Sequence, residues 1–210
     1  MTSIEHFKKN GYCLIKSTIS NELRDFVTQY ALFDEMQDFN PENVTHQVPG
    51  THRKYGDPAM ETLLLLLSSI IEKSTGLTLH PTYSYYRVYR PGDILKIHND
   101  RESCEISATL CLNHSYDIKD YSWPIFMAGA EVHMEPGDMV IYRGCDLNHW
   151  RDKFDIIDAD AWHVQGFFHY VDANGPLADF KFDKRSSIGE NPDGCATKPT
   201  KKSYIEYINI

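Results

Sequence analysis

The feature that most limits how this chain can fold is its second half, where short runs of alternating residues follow one another with turns, not helices, between them. Residues 106–112 alternate strictly: Ile106, Ala108, Leu110 and Leu112 fall on one face, Ser107, Thr109 and Cys111 on the other. Residues 83–89 are aromatic-rich and strand-like, and 132–134, 139–142 and 162–171 add further strands. Arg90-Pro91-Gly92-Asp93 and Glu135-Pro136-Gly137-Asp138 read as turns. Parallel neighbours are usually joined by a helical crossover, and no helix reads between these strands. The pattern therefore predicts an antiparallel sandwich or barrel.

Helices are confined to the first part. Residues 11–15 read as a short strand, and Ser20 as the N-cap of a helix carrying Leu23, Phe26, Val27 and Tyr30. A polar loop spans 38–56. Asp57 then caps and Pro58 opens a second helix, with Met60, Leu63, Leu64, Leu67, Ile70 and Ile71 on its apolar face and its end near Gly76. Two helices this apolar need a sheet to cover. After Asp172 the periodicity gives way to Gly, Pro and Asn, so residues 1–175 are expected to form one domain and 176–210 a loop-rich extension, with a short strand at 204–208.

Composition removes several function classes. A net charge of -9 argues against a general nucleic-acid binder, whose affinity depends on basic groups neutralising phosphates. The five cysteines, Cys13, Cys104, Cys111, Cys145 and Cys195, form no CxxC pair and suit a reducing cytoplasm. The apolar run at 63–67 is far short of the roughly 20 residues that span a bilayer, and residues 1–19 lack the apolar core of an export signal. The expectation is a cytoplasmic protein acting on a small molecule or a peptide, with neither nucleic acid nor membrane as partner and the oligomeric state open.

His98-Asn99-Asp100 stands at the end of a strand-like stretch. Positions i and i+2 of a strand project to one side, so His98 and Asp100 can reach one ion together. With 10 His and 18 Asp in 210 residues, a single His-x-Asp is expected by chance, and its context has to carry the argument. His149, beyond the strand at 139–142, can complete a set of two imidazoles and one carboxylate. Such a set leaves open positions on iron(II), and it also binds zinc. A rival cluster, His133-Met134-Glu135, is accounted for by strand alternation.

The segment from Tyr85 to Asp100, with Tyr89-Arg90-Pro91-Gly92-Asp93 ahead of His98-Asn99-Asp100, resembles the metal-binding region of iron(II)/2-oxoglutarate-dependent oxygenases, the prolyl-hydroxylase-like branch in particular. Pro136-Gly137-Asp138 leading into a strand, Leu147-Asn148-His149-Trp150-Arg151, and Gln165-Gly166-Phe167-Phe168-His169 are similar to that family's later landmarks, in the same order. The resemblance implies a mainly β fold with N-terminal α-helices, a double-stranded β-helix (jelly roll, cupin-like). It also implies Fe(II) held by His98, Asp100 and His149, with 2-oxoglutarate as co-substrate and dioxygen as oxidant. The activity implied is hydroxylation of an unactivated C–H bond, of a prolyl or other amino-acid substrate.

One position departs from the pattern. The family pairs the distal carboxylate of 2-oxoglutarate with an arginine or lysine on the closing strand, and here that position is His163. His163 as imidazolium and Arg151, two residues beyond His149, are the alternatives for that role, with Arg143 and Arg87 behind them. Tyr89 matches the tyrosine that hydrogen-bonds the co-substrate. Two other functions stay open: a non-catalytic jelly-roll protein binding a small ligand, and a metal enzyme that does not use 2-oxoglutarate.

Overall fold

The computed structural model describes residues 2–38, 47–116 and 121–190. The expected strand at 204–208 lies outside them, as do parts of the loops at 38–56 and 114–124. Three helices, α1 (Ser3–Asn10), α2 (Asn21–Asp38) and α3 (Pro58–Thr75), alternate with the short strands β1 (Tyr12–Ile15) and β2 (His52–Tyr55). Eight strands follow: β3 (Leu79–Tyr89), β4 (Leu95–His98), β5 (Ile106–His114), β6 (Ile125–Met127), β7 (Ala130–Val132), β8 (Met139–Arg143), β9 (His149–Arg151) and β10 (His163–Asp172). They form two antiparallel sheets, one ordered β1-β8-β5-β10-β3-β2 and one ordered β4-β9-β6-β7. The result is a mixed α/β fold in which helices cover one sheet and the second sheet faces its other side.

Strand alternation decides which side is which. Tyr86 and Val88 of β3, Ile106, Ala108, Leu110 and Leu112 of β5, and Val164 and Phe168 of β10 join Leu63, Leu64, Leu67 and Ile71 of α3 in one buried core. The intervening residues point into the space between the sheets, where Cys111, Ile125, Met127, Val140 and Tyr142 form a second cluster. Tyr89, Leu95, Trp123 and Phe154 form a third.

Helix α3 begins and ends where its sequence says. The Asp57 side chain accepts hydrogen bonds from the amides of Ala59 and Met60, Pro58 occupies the first turn, and Gly76 closes the helix at φ 76°. Helix α1 was not expected, although Thr2 and Glu5 form a reciprocal capping box and Gly11 ends it with φ 78°. The strand expected at 132–134 lies at Ala130–Val132 instead, because Val132, paired with Ile125, is the last residue that β6 can hold. Strand β2 runs through part of the expected polar loop, paired with β3. Among the described residues no helix is long and apolar enough to cross a membrane.

Beyond β10 the chain folds back over β2 and β3. Asp183 accepts two hydrogen bonds from Arg101, at 2.6 and 2.7 Å, and one from the Tyr55 hydroxyl at 2.5 Å. Burial raises the pKa of its carboxyl, but hydrogen bonds from Arg101, Ser103 and Tyr55 outweigh burial and hold it at about 2. A carboxylate with a depressed folded pKa stabilises the native state above its unfolded value, about 3.9, and that contribution is lost as pH falls towards the folded value. Asp183→Asn is therefore expected to lower stability at pH 7 and to do so progressively less as pH falls from about 4 through 2, which urea unfolding across that range will show.

Candidate metal centre

The two sheets meet around a cavity of about 170 Å³ whose lining includes His98, Asp100, His149, Tyr83, Tyr85, Arg87 and Tyr89. His98 ends β4 and His149 begins β9, and the two are direct register partners. Their rings lie 4.2 Å apart, centroid to centroid. Asp100 follows β4 and is fixed by its amide, which donates to the Gly144 carbonyl at 2.9 Å. Its Oδ1 lies 3.7 Å from His98 Nε2 and 3.6 Å from His149 Nε2. One ligand atom from each of the three residues falls within 4.8 Å of the others. The structure thus brings His149 to His98 and Asp100, from 49 residues further along the chain.

The protonation pattern suits a cation. His98 Nδ1 lies 2.7 Å from the Lys96 carbonyl and His149 Nδ1 lies 3.0 Å from the Leu147 carbonyl. A carbonyl can only accept, so in the neutral tautomers each Nδ1 carries the hydrogen and each Nε2 offers a lone pair. Burial lowers the pKa of His149, opposing a charged ring there. Two lone pairs and a carboxylate aimed at one point repel one another, and a divalent cation reverses the sign of that interaction. Two nitrogens and one oxygen fit iron(II) with open positions, and zinc as well.

Residues that sequence reading did not single out complete the surroundings. The Ser107 hydroxyl lies 2.9 Å from Asp100 Oδ2 and 2.9 Å from His169 Nδ1. Ser107 thus fixes the second carboxylate oxygen, and the imidazole fixes Ser107. The signal was the inward face of β5, on which Ser107 stands. Gly144 is the other. A Cβ there would lie 2.2 Å from the Cys104 carbonyl oxygen, 2.6 Å from Asp100 Oδ2 and 2.7 Å from Ser107 Oγ. Gly144→Ala must therefore displace backbone or the ligand carboxylate, and we expect metal affinity to fall about 10-fold or more, as for loss of a ligand's supporting hydrogen bond. Metal titration of a variant checked for folding by circular dichroism measures this.

The expected co-substrate residues divide. Tyr89 is fully buried, lines the cavity, and its hydroxyl has no hydrogen-bond partner. Arg151 and His163 are also buried but stand behind this lining, in a network of their own. Arg151 donates to the Trp123 carbonyl and, at 3.1 Å, to Gln165 Oε1. His163 Nε2 lies 2.8 Å from the same Gln165 oxygen, and its Nδ1 lies 2.9 Å from the Tyr116 hydroxyl. Gln165 Nε2 donates to Thr109 Oγ1 at 2.6 Å. Burial, and then the adjacent Arg151, push the pKa of His163 well below its usual value, so the ring is neutral at pH 7. Arg143 lies over the Phe7 ring, 5.3 Å from its centroid. His133 is exposed, with Glu131 at 3.2 Å and Ser122 at 2.9 Å, and belongs to no three-residue ligand group among the described residues.

No protein-family model matches the chain, and no curated protein matches its sequence. Solved structures do resemble it. A prolyl-4-hydroxylase from Pseudomonas putida superposes with a TM-score of 0.61 at 18% identity, over 80% of this chain and 96% of that one. The non-haem alpha-ketoglutarate-dependent epimerase SnoN from nogalamycin biosynthesis gives 0.66 at 11% identity, over 90% of each chain. HygX from Streptomyces hygroscopicus, solved with nickel and 2-oxoglutarate, gives 0.61 at 12% identity, over 82% of this chain and 87% of that one. The chain has the fold of the 2-oxoglutarate/iron(II) oxygenases, with prolyl hydroxylases among those it resembles, and its two histidines and one aspartate form a facial-triad-like group that could hold a metal ion.

Proposed function

We propose that the protein is an iron(II)- and 2-oxoglutarate-dependent dioxygenase that hydroxylates an unactivated C–H bond, built on the double-stranded β-helix of that family. The observation that carries this reading is the convergence of His98, Asp100 and His149 with both Nδ1 atoms tied to carbonyls, inside a cavity that also presents unpartnered donors. Bound iron would supply the activation of dioxygen. One dioxygen and one 2-oxoglutarate are consumed with each substrate C–H, giving succinate, carbon dioxide and the alcohol.

The chain's own residues do the rest. His98, Asp100 and His149 would hold the metal, a three-residue set that leaves positions free for other ligands. Ser107, steadied by His169, keeps the carboxylate of Asp100 turned towards the metal. Tyr89 offers a hydroxyl to the co-substrate from the cavity wall. Arg151 and His163 act behind that wall by fixing Gln165 and Trp123. Water is limited by the packing of Trp123, Phe154 and Leu95 around Tyr89. Gln47, ahead of β2, also lines the cavity.

Prolyl hydroxylases among the solved relatives make a prolyl or other amino-acid substrate the first to test. Anaerobic Fe(II) loading followed by 2-oxoglutarate should produce the visible metal-to-ligand absorption band, and aerobic incubation with a peptide and amino-acid library should give succinate with a substrate gain of one oxygen atom. Metal binding with no response to 2-oxoglutarate would instead favour a metal enzyme of another kind. Absence of metal binding would favour a non-catalytic small-ligand protein.

A further inference from the structure

Among the charged groups at the cavity, Arg87 has an environment that only a ligand completes. It stands on β3 in the row Tyr83, Tyr85, Arg87, Tyr89, every member of which lines the cavity. Its side chain is buried, with only 2% of the residue exposed. Nη2 donates to the Tyr85 hydroxyl at 3.1 Å, while Nε and Nη1 have no partner at all. A guanidinium carries three N–H bonds on those two nitrogens and cannot lose its charge at physiological pH. Its central carbon lies 5.5 Å from the Tyr85 ring centroid and 5.6 Å from that of Tyr89, contacts that soften the charge but accept none of the hydrogens.

Asp93 is near enough to favour the charge on Arg87 but accepts none of these hydrogens, and buried donors left without acceptors are costly. Among the described residues Asp100 is the only carboxylate lining the cavity, and it is engaged with the two histidines and with Ser107. Arg53, the register partner of Arg87 on β2, lines the cavity as well. The space therefore favours an anion. Across the sheet, Arg87 pairs in register with Gln165 of β10, one position along the strand face from His163. The cationic group that the sequence pattern expects on β10 is thus absent there and present one strand over, beside the same cavity.

The geometry points to Arg87 as the residue that holds the distal carboxylate of a 2-oxo dicarboxylate whose other end lies at the metal, with the neighbouring Tyr89 hydroxyl as a second donor. This inference rests on the function proposed above and names the residue that selects the co-substrate. It accounts for both orphaned donors with one ligand. It also leaves Arg151 and His163 in the closed network where the structure has them.

The test separates the head of the ligand from its tail. The Fe(II)-loaded or Ni(II)-loaded protein is titrated anaerobically with 2-oxoglutarate and with pyruvate, which keeps the 2-oxo acid but lacks the distal carboxylate. The wild type should prefer 2-oxoglutarate. Arg87→Gln should weaken 2-oxoglutarate binding about 10- to 100-fold, the size of a lost charge-assisted pair, with metal and pyruvate affinity unchanged. Arg87→Lys, which keeps the charge without the fork, should recover part of the loss and serves if the glutamine variant does not fold. An intact preference in Arg87→Gln, or a collapse of preference in Arg53→Gln instead, would overturn the assignment. A wild type that binds metal but shows no preference overturns it too. A wild type that binds no metal overturns the proposed function, and this inference with it.

Discussion

Asp100→Ala is expected to abolish metal-dependent turnover and to remove stoichiometric metal binding while the fold survives. Asp100 supplies the only negative charge of the three-residue set, and its Oδ1 lies at similar distances from both imidazole nitrogens, 3.7 and 3.6 Å. Without it two neutral imidazoles remain, and an iron(II) ion held by them alone lacks both the charge and the third facial position. Removing a group that merely hydrogen-bonds a ligand costs about 10- to 100-fold in affinity, so removing the ligand must cost more. Asp100 stands in a strand-to-loop connection outside the three apolar clusters, so its loss opens no core. His98→Ala and His149→Ala should behave alike. Calorimetric titration with Fe(II) or Ni(II), paired with circular dichroism, checks all three. Full metal stoichiometry in Asp100→Ala would show that the ion sits elsewhere.

How much of this was readable in advance depends on the length of each signal. Helix α3 was legible because Asp57, Pro58 and Gly76 frame an apolar period of many residues. The inward and outward faces of β5 were legible because alternation over seven positions has only one burial solution. Strands β6, β7 and β9, three residues each, carry no period of their own and exist because neighbours pair with them. His98-Asn99-Asp100 and the order of the later landmarks pointed to the three residues that the fold brings together as a possible metal site, but the anchoring of each Nδ1 was not legible, since it depends on backbone carbonyls. Arg87 was the hardest to see. Its significance comes from lying opposite Gln165, and register between strands so distant in sequence cannot be read from either strand alone. Burial likewise weighs against one of the two alternatives, His163 as imidazolium, because that charged form is disfavoured both by desolvation and by Arg151.

The segment after β10 looked like a loop-rich extension, yet its buried ion pair predicts the largest effect on stability. Arg185 Nη2 lies 2.5 Å from Glu61 Oε1, and the side chains are only 5% and 2% exposed. The same nitrogen donates to the Thr82 carbonyl at 3.0 Å, Nε to the Phe182 carbonyl at 3.0 Å, and the Gly189 amide donates to Glu61 Oε2. Burial raises the pKa of Glu61 in spite of this pairing. Arg185→Leu leaves a buried carboxylate without its cation, a change that costs about 3–5 kcal/mol. For a chain of this size that is roughly 6–20 °C in Tm. A carboxyl whose folded pKa is raised destabilises the native state at pH above that pKa, and the penalty disappears as pH falls through it. The deficit of Arg185→Leu should therefore be larger at pH 8 than at pH 5, and Glu61→Leu added to it should recover most of the loss. A variant within about 1 kcal/mol of wild type at pH 8, well below the cost of a broken buried pair, would mean that the segment is not docked. Docking also bears on the metal site, because Asp183 in this segment grips Arg101, the residue next to Asp100. Truncation after residue 175 removes Arg185 from Glu61 and Asp183 from Arg101, so it should lower metal affinity along with stability, whereas Arg185→Leu should act mainly on stability.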